Sequence, residues 1–373
     1  MPSRLLGIVV LSLALVPLTA PSARGLSYTV RTIGSLGGPY SRARAVSRSG
    51  LVVGEAYTPA YVEHAFLSDG TAMVDLGTLG GQRSRAFDIN SAGQIVGWAS
   101  AADGKAKPAL WRNGTIVELP GLGGPTGAAW GINDLGWAVG NAYVSTSVYH
   151  ATLWDGVGVI DLGTLGGQYS IAYDINSHGW IAGSADDAWG NEWAVIWADG
   201  TIRNIGGLPG ATWSTARGIN DLGQVILWSN TTGGASHAGL WYDGRAIDLG
   251  TLGGRESWAY GINNRGAVVG WAELPEGYYH AFLYDGNRMH DLGTLGGLFS
   301  SAYGINDDGV VVGSAQSADG QWHAVMWLPV PEPSSFAVLA FGLGAAGARI
   351  RRRPRRGGPW PRLRRFRLPS SSS

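Results

Sequence analysis

WAYGINNRGAVVGWAELPEGYYHAFLYDGNRMHDL, residues 258–292, decides the fold. Trp258-Ala259-Tyr260-Gly261-Ile262-Asn263 reads as a strand, and Asn264-Arg265-Gly266 turns the chain, with Gly266 free to take positive φ. Ala267-Val268-Val269-Gly270-Trp271-Ala272 is a second strand, followed by a variable loop at 273–277. Tyr279-His280-Ala281-Phe282-Leu283-Tyr284 is a third strand, and Asp285-Gly286 is a tight hairpin signal. Arg288-Met289-His290-Asp291-Leu292 is the fourth. The second and third strands are apolar on both faces, so they need cover on both sides. A sheet stacked between two other sheets has that cover.

The unit recurs seven times between about Tyr28 and Trp327, with a period of 43 residues. An LGG-like phrase places leucine at Leu36, Leu79, Leu122, Leu165, Leu208, Leu252 and Leu295. A second phrase, IN before a turn glycine, starts at Ile89, Ile132, Ile175, Ile219, Ile262 and Ile305, with a degenerate copy at Val46. A third, HAFLW-like phrase places alanine at Ala65, Ala109, Ala151, Ala194, Ala238, Ala281 and Ala324. Such a period, with four short strands per copy, predicts an all-β, seven-bladed β-propeller of four-stranded blades. The alternative is a β-solenoid.

The two ends of the repeat region fit each other. Residues 27–38 have the sequence of a fourth strand and its exit loop, with no first three strands before them. The seventh copy stops near Leu328, before its own fourth strand. Residues 28–33 are therefore expected to pair antiparallel with 322–327 as the outer strand of the last blade, bringing Val30 towards Val325. A solenoid would hold these segments at opposite poles.

Glycine recurs inside the second strand at Gly54, Gly97, Gly140, Gly183, Gly270 and Gly313. Glycine weakens a strand, so its recurrence predicts a bulge or close backbone approach. Leu227 takes this position in the fifth copy, which is expected to be locally irregular.

The zero net charge arises by cancellation. Between Leu26 and Val330 fifteen Lys+Arg face twenty-six Asp+Glu, while ten arginines crowd the tail after Ala348. An acidic folded part argues against a nucleic-acid partner. The absence of cysteine excludes disulfides and thiolate metal sites.

Residues 1–25 read as a signal peptide: Arg4, an apolar stretch at 5–18, then small residues up to Ala23-Arg24-Gly25. Residues 26–328 are the seven-repeat propeller. At the other end come Pro331-Glu332-Pro333, an apolar run at 336–348, and the basic cluster Arg349, Arg351, Arg352 and Arg353. This order, over residues 329–356, resembles the PEP-CTERM sorting segment of Gram-negative bacteria. The resemblance implies export, transient inner-membrane contact, and processing by an exosortase that recognises Pro331, Glu332 and Pro333, with the arginines as a stop-transfer signal. Residues 357–373 read as a disordered basic tail.

The repeat phrases themselves, His64-Ala65-Phe66-Leu67, His280-Ala281-Phe282-Leu283 and the DLGTLGG runs from Asp75, Asp161, Asp248 and Asp291, resemble the HAF-repeat family of bacterial extracellular proteins. The resemblance implies an extracellular repeat protein and brings no catalytic residues.

Three sets of recurring residues are candidates for chemistry. Histidine occupies one repeat position at His64, His150, His237, His280 and His323, with Pro108 and Trp193 in the other two copies. Equivalent positions in a ring lie apart, so hydrogen bonding to a neighbouring blade is favoured over metal binding. The acids Asp75, Asp161, Asp248 and Asp291 read as turn or strand hydrogen-bonding groups. Thr78, Thr164, Thr251 and Thr294 would align into an ice- or polysaccharide-contacting face in a solenoid, but fan out in a ring. No catalytic triad signature or phosphate-binding loop is present. No catalytic residue, cofactor or metal is assigned. The sequence points to a secreted or surface-associated, non-catalytic binding or structural protein, its ligand an exopolysaccharide or a protein. The alternative is a polysaccharide-active enzyme, a lyase or hydrolase, working at the propeller mouth.

Overall fold

The computed structural model describes residues 27–330. Residues 1–25, read as a signal peptide, the Pro331-Glu332-Pro333 motif, the apolar run, the arginine cluster and the tail at 357–373 lie outside them. The described residues form seven four-stranded antiparallel sheets arranged as the blades of a propeller. Blade six shows the plan: Ser257–Ile262, Val268–Glu273, Tyr279–Tyr284 and Met289–Asp291, in that order from the axis outward.

The last blade closes as the sequence predicts. Its strands Gly296–Ile305, Val311–Ser317 and Trp322–Pro329 are completed by Tyr28–Thr32 from the other end of the chain. The register pairs Tyr28 with Pro329, Val30 with Trp327, and Thr32 with Val325. Val30 is thus two residues out of step with Val325. The hydroxyl of Tyr28 donates to the Gly309 carbonyl at 3.1 Å, fastening the strand to the first turn of its blade.

The core lies between blades. One cluster joins Val269, Ala281 and Leu283 of blade six to Ala302, Val311 and Trp327 of blade seven. Tryptophan supplies both area and a polar bond there. Trp111, Trp154, Trp197 and Trp327 are buried, and their indole N–H groups donate to the carbonyls of Leu76, Pro120, Leu162 and Leu292, on the exit of the preceding blade.

The strand glycines answer to geometry. A Cβ on Gly270 would sit 1.9 Å from the Trp258 carbonyl oxygen, and one on Gly54 2.0 Å from that of Arg42. The cause is a bulge in the first strand of each blade, as at Ala259/Gly261 and Ala43/Ala45, which drives the backbone toward the second strand. Blade five departs from the expected irregularity. Its register and bulge, at Ala216/Gly218, match the others. Leu227 is accommodated because its partner on the third strand is Gly239, where a Cβ would meet the leucine side chain at 2.7 Å. Elsewhere the glycine faces a larger partner, such as Phe282 or Val325.

One landmark needs correction. In blade two, Gly97 pairs with Ala109 and Trp98 with Pro108. In blade one, Gly54 pairs with Phe66 and Glu55 with Ala65. Pro108, not Ala109, is therefore the repeat alanine, and Lys107 fills the histidine position. The proline explains a second exception. Ser84, Ser170, Ser214, Ser257 and Ser300 each accept the backbone N–H of that alanine in the blade before. Proline has no N–H to offer, and the corresponding residue in blade three is Gly127.

Candidate binding site in the central channel

The bulge that crowds the strand glycines also points a side chain at the axis. Its extra residue, left out of the ladder, is Arg44, Phe87, Trp130, Tyr173, Arg217, Tyr260 or Tyr303 in the successive blades. These seven line one constriction of the channel. Bulges re-aim side chains, and here one backbone device is repeated around a ring. Five aromatic rings and two guanidinium groups therefore converge from positions far apart in sequence. No one residue type holds the position throughout, with tyrosine in three copies and arginine in two, so it leaves no repeat phrase in the sequence. The available signal was the opposite one: a slot that varies between neighbours that do not, in Ala-x-Gly-Ile-Asn and its relatives.

The two arginines differ. Arg44 pairs with buried Glu55, its Nε 3.0 Å and its Nη2 2.8 Å from the carboxylate oxygens. Burial works against the guanidinium charge, but Glu55 outweighs it and holds the group above its ordinary value. Arg217 has no such partner. Its Cζ lies 3.7 Å from the Tyr173 ring centre and 4.1 Å from that of Trp228, and burial lowers its proton affinity.

On one side of the constriction the channel widens into a cavity of about 420 Å³ walled by the first-strand turns. Here the IN phrase finds its purpose. The side-chain amide of Asn90 donates to the Asn133 carbonyl, Asn133 to Asn176, and so on to Asn306, which donates to Ser47. The degenerate copy at Val46-Ser47 lacks the amide, and the Ser47 hydroxyl stays within its own turn, on Ser49. Asp88 and Asp174 face the same cavity. Each accepts its following backbone N–H and one from the next blade, that of Ile132 for Asp88 and of Ile219 for Asp174. Burial pushes both carboxyl groups up, Asp88 to about 7 with help from the Asp174 charge.

The recurring histidines and acids prove to be one feature. His64, His150, His237 and His280 place Nδ1 within 2.7–2.9 Å of Asp75, Asp161, Asp248 and Asp291, on the outer strand of the same blade. The other nitrogen of His64 meets the Gln82 carbonyl of the next blade, and that of His237 meets Arg255. In blade two the pair becomes Lys107 and Glu118, 3.4 Å apart. His323 binds the Ser317 hydroxyl instead. These groups sit at the rim, away from the channel. The threonines do not form an array, since Thr78, Thr164, Thr251 and Thr294 each donate to a carbonyl of their own loop.

On the other side of the constriction the channel opens among aromatic side chains. Phe87 stacks on Trp130 at 4.1 Å, Trp258 meets Trp228 at 4.5 Å, and Tyr279 meets Phe299 at 4.8 Å. A second cavity of about 260 Å³ lies there between blades two and three, lined by Arg85, Trp98, Trp130 and Tyr143. A mouth of ring faces with a few charged groups suits ligands that carry both apolar and polar surface.

Residues 329–356 match the family model of the PEP-CTERM protein-sorting motif. That motif is a substrate signal for exosortase and marks export to the envelope or surface of Gram-negative bacteria. A comparison with curated proteins finds no match. Among solved structures, a puromycin-hydrolyzing peptidase of Mycobacterium tuberculosis is 13% identical over 82% of this chain and 56% of its own, with a TM-score of 0.55. TolB from Acinetobacter baumannii is 13% identical over 79% of this chain and 65% of its own, at 0.44. AofleA from Arthrobotrys oligospora is 8% identical over 74% of this chain and 92% of its own, at 0.40. This chain thus spans less than two thirds of the first two. At these identities the likeness is one of fold alone.

Proposed function

We propose that this is an exported HAF-repeat protein of the cell surface that binds an extracellular glycan at the aromatic mouth of its channel. The observation that carries this is the ring of bulged residues, which gathers Phe87, Trp130, Tyr173, Tyr260 and Tyr303 with Arg44 and Arg217 at one place. Aromatic faces stack on the C–H faces of sugars, and fixed donors select among hydroxyl and acid groups. The remainder of the molecule supports a rigid scaffold, since its inter-blade bonds are satisfied by the protein itself.

In this reading the signal at 1–25 starts export, the sorting segment gives transient inner-membrane anchoring, and an exosortase-type enzyme removes the tail. Glycan-array binding of the purified secreted protein tests the binding role, and a blank array would refute it. Intact-mass measurement of secreted material tests the sorting role. The expected product ends near Pro333, and an extracellular species still carrying the arginine cluster would refute it.

A polysaccharide-active enzyme is the second reading, and Asp88 and Asp174 favour it, being raised carboxylic acids that face the channel. Cleavage of a bound glycan, lost in Asp88→Asn, would select it.

A further inference from the structure

We infer that the channel mouth takes an acidic sugar unit, a uronate, with its carboxylate on Arg217 and its ring face on the aromatic run that leads from there toward Arg42. The inference rests on the glycan-binding reading and names the substrate class.

Among the described residues, four buried side-chain atoms have no hydrogen-bond partner in the protein: Arg42 Nε, Arg217 Nε, Trp258 Nε1 and Ser314 Oγ. Folded proteins leave few such groups, and each calls for a reason. These four are not scattered. They come from blades five, six, seven and one, which are consecutive around the ring. All lie on the inner two strands. Three are N–H donors with no capacity to accept, and the fourth is a hydroxyl that donates equally well. The arc therefore lacks acceptors.

The surface between the donors is continuous. Trp228 meets Tyr260 edge-on at 5.1 Å, and Tyr260 meets Tyr303 at 5.0 Å. Arg217 stands over Trp228 at one end, and Arg42 stands 5.3 Å over the Tyr303 ring at the other. Trp258 flanks Trp228. In the acidic folded part of the chain this arc gathers Arg42, Arg44 and Arg217 against Glu55, whose contacts go to Arg44 and, at 3.6 Å, to Arg42, and Glu192, which accepts from the Thr215 hydroxyl at 2.9 Å, and neither carboxylate is paired with Arg217. An uncharged sugar would meet the ring faces but leave the Arg217 guanidinium without a carboxylate. A uronate carries both needs on one ring, a C–H face and a carboxylate that matches the guanidinium edge. An acidic peptide offers carboxylates on flexible arms and no such face.

The test compares a tetragalacturonate with its carboxyl-reduced, neutral tetrasaccharide by calorimetry, using the full secreted protein at low ionic strength. The acidic form is expected to bind at least about tenfold more tightly. Arg217→Gln should bring the acidic form down to the level of the neutral one measured on the same variant, with thermal melting confirming that the variant folds. The wild-type comparison needs no variant. Equal affinity for the two sugars overturns the inference and leaves the glycan reading standing. Binding of neither overturns both. A folded Arg217→Gln protein that keeps the acidic preference, or an oligoglutamate that binds as tightly as the uronate, also overturns the inference.

Discussion

A disulfide between positions 32 and 325 would lock the ring where its two ends meet. Thr32 and Val325 are direct cross-strand partners. Such partners have Cα atoms about 4.5–5.5 Å apart, within the span a disulfide bridges. The chain has no native cysteine, so Thr32→Cys with Val325→Cys admits one intramolecular product. The bridge would close a loop of about 290 residues, for which the chain-entropy relation gives about 5–6 kcal/mol, at the top of what bridges deliver. Val325 is fully buried, and trimming it to cysteine returns about 1–2 kcal/mol of that. Against the wild type the net expectation is about 3–5 kcal/mol, and the oxidised and reduced forms of the double variant, which share the trimmed side chain, should differ by the full amount of about 5–6 kcal/mol, or about 8–10 °C in melting temperature for a domain of this size. The assay is thermal melting of the same double variant with and without reductant, with free thiols titrated before and after. Val30→Cys with Val325→Cys is the register control. Those positions are diagonal, about 7–8 Å apart, and should oxidise poorly. If the control oxidises as readily as the direct pair, or the direct pair keeps its thiols under oxidant, the closing strand is not where it is described.

Other substitutions probe the blades. Gly270→Ala should cost about 2–3 kcal/mol in chemical denaturation, because its Cβ would stand 1.9 Å from the Trp258 carbonyl oxygen, and a neutral result would contradict the bulge. His280→Ala should cost about 1–2 kcal/mol by removing the bond to Asp291, and chelator should leave the wild-type melting temperature unchanged. A large chelator-induced drop would reveal a metal at the histidines. Asp88 is raised in the folded state from 3.8 to about 7, so the folded protein holds a proton that the unfolded chain releases in that window. Stability should fall as pH rises from about 4 to about 7 and level off above it. At 1.36 kcal/mol per unit the upper limit is about 4 kcal/mol. Asp88→Asn should flatten this dependence in urea titrations at the two ends of the window, and parallel profiles for both proteins would sink the assignment.

The fold was legible because it is repetitive: strands, turns and blade closure each leave a mark every 43 residues. Even the orphan strand at Tyr28–Thr32 was readable, since its missing partners were conspicuous at the other end. Fine register was harder. The slip from Pro108 to Ala109 came from matching a residue type where pairing with Gly97 decides, and the uneven steps of 44 and 42 on either side of Ala109 betray it. Leu227 misled for a related reason. Its compensation, Gly239, lies across the ladder and not beside it in sequence. The channel was the least legible part. Recurrent residues such as His280 and Asp291 are recurrent because every blade needs them for packing and rim bonds. What makes one blade unlike another sits at the bulge, where Arg217 in one copy is Tyr260 in the next, and only a ring brings those differences face to face.

The closing strand also gives the molecule a polarity. Tyr28 and Pro329 are cross-strand partners, and Tyr28 reaches the turn at Gly309, so both ends of the described chain leave from the pole that carries the asparagine circlet. The aromatic mouth opens at the opposite pole. A tether on either terminus, whether biological or a chip surface, therefore behaves like the stem of a cup: it fixes the base and leaves the opening turned outward. Immobilised at Tyr28 or Pro329, the protein should keep the glycan binding proposed for it, whereas attachment through the loops around Tyr279 should block it.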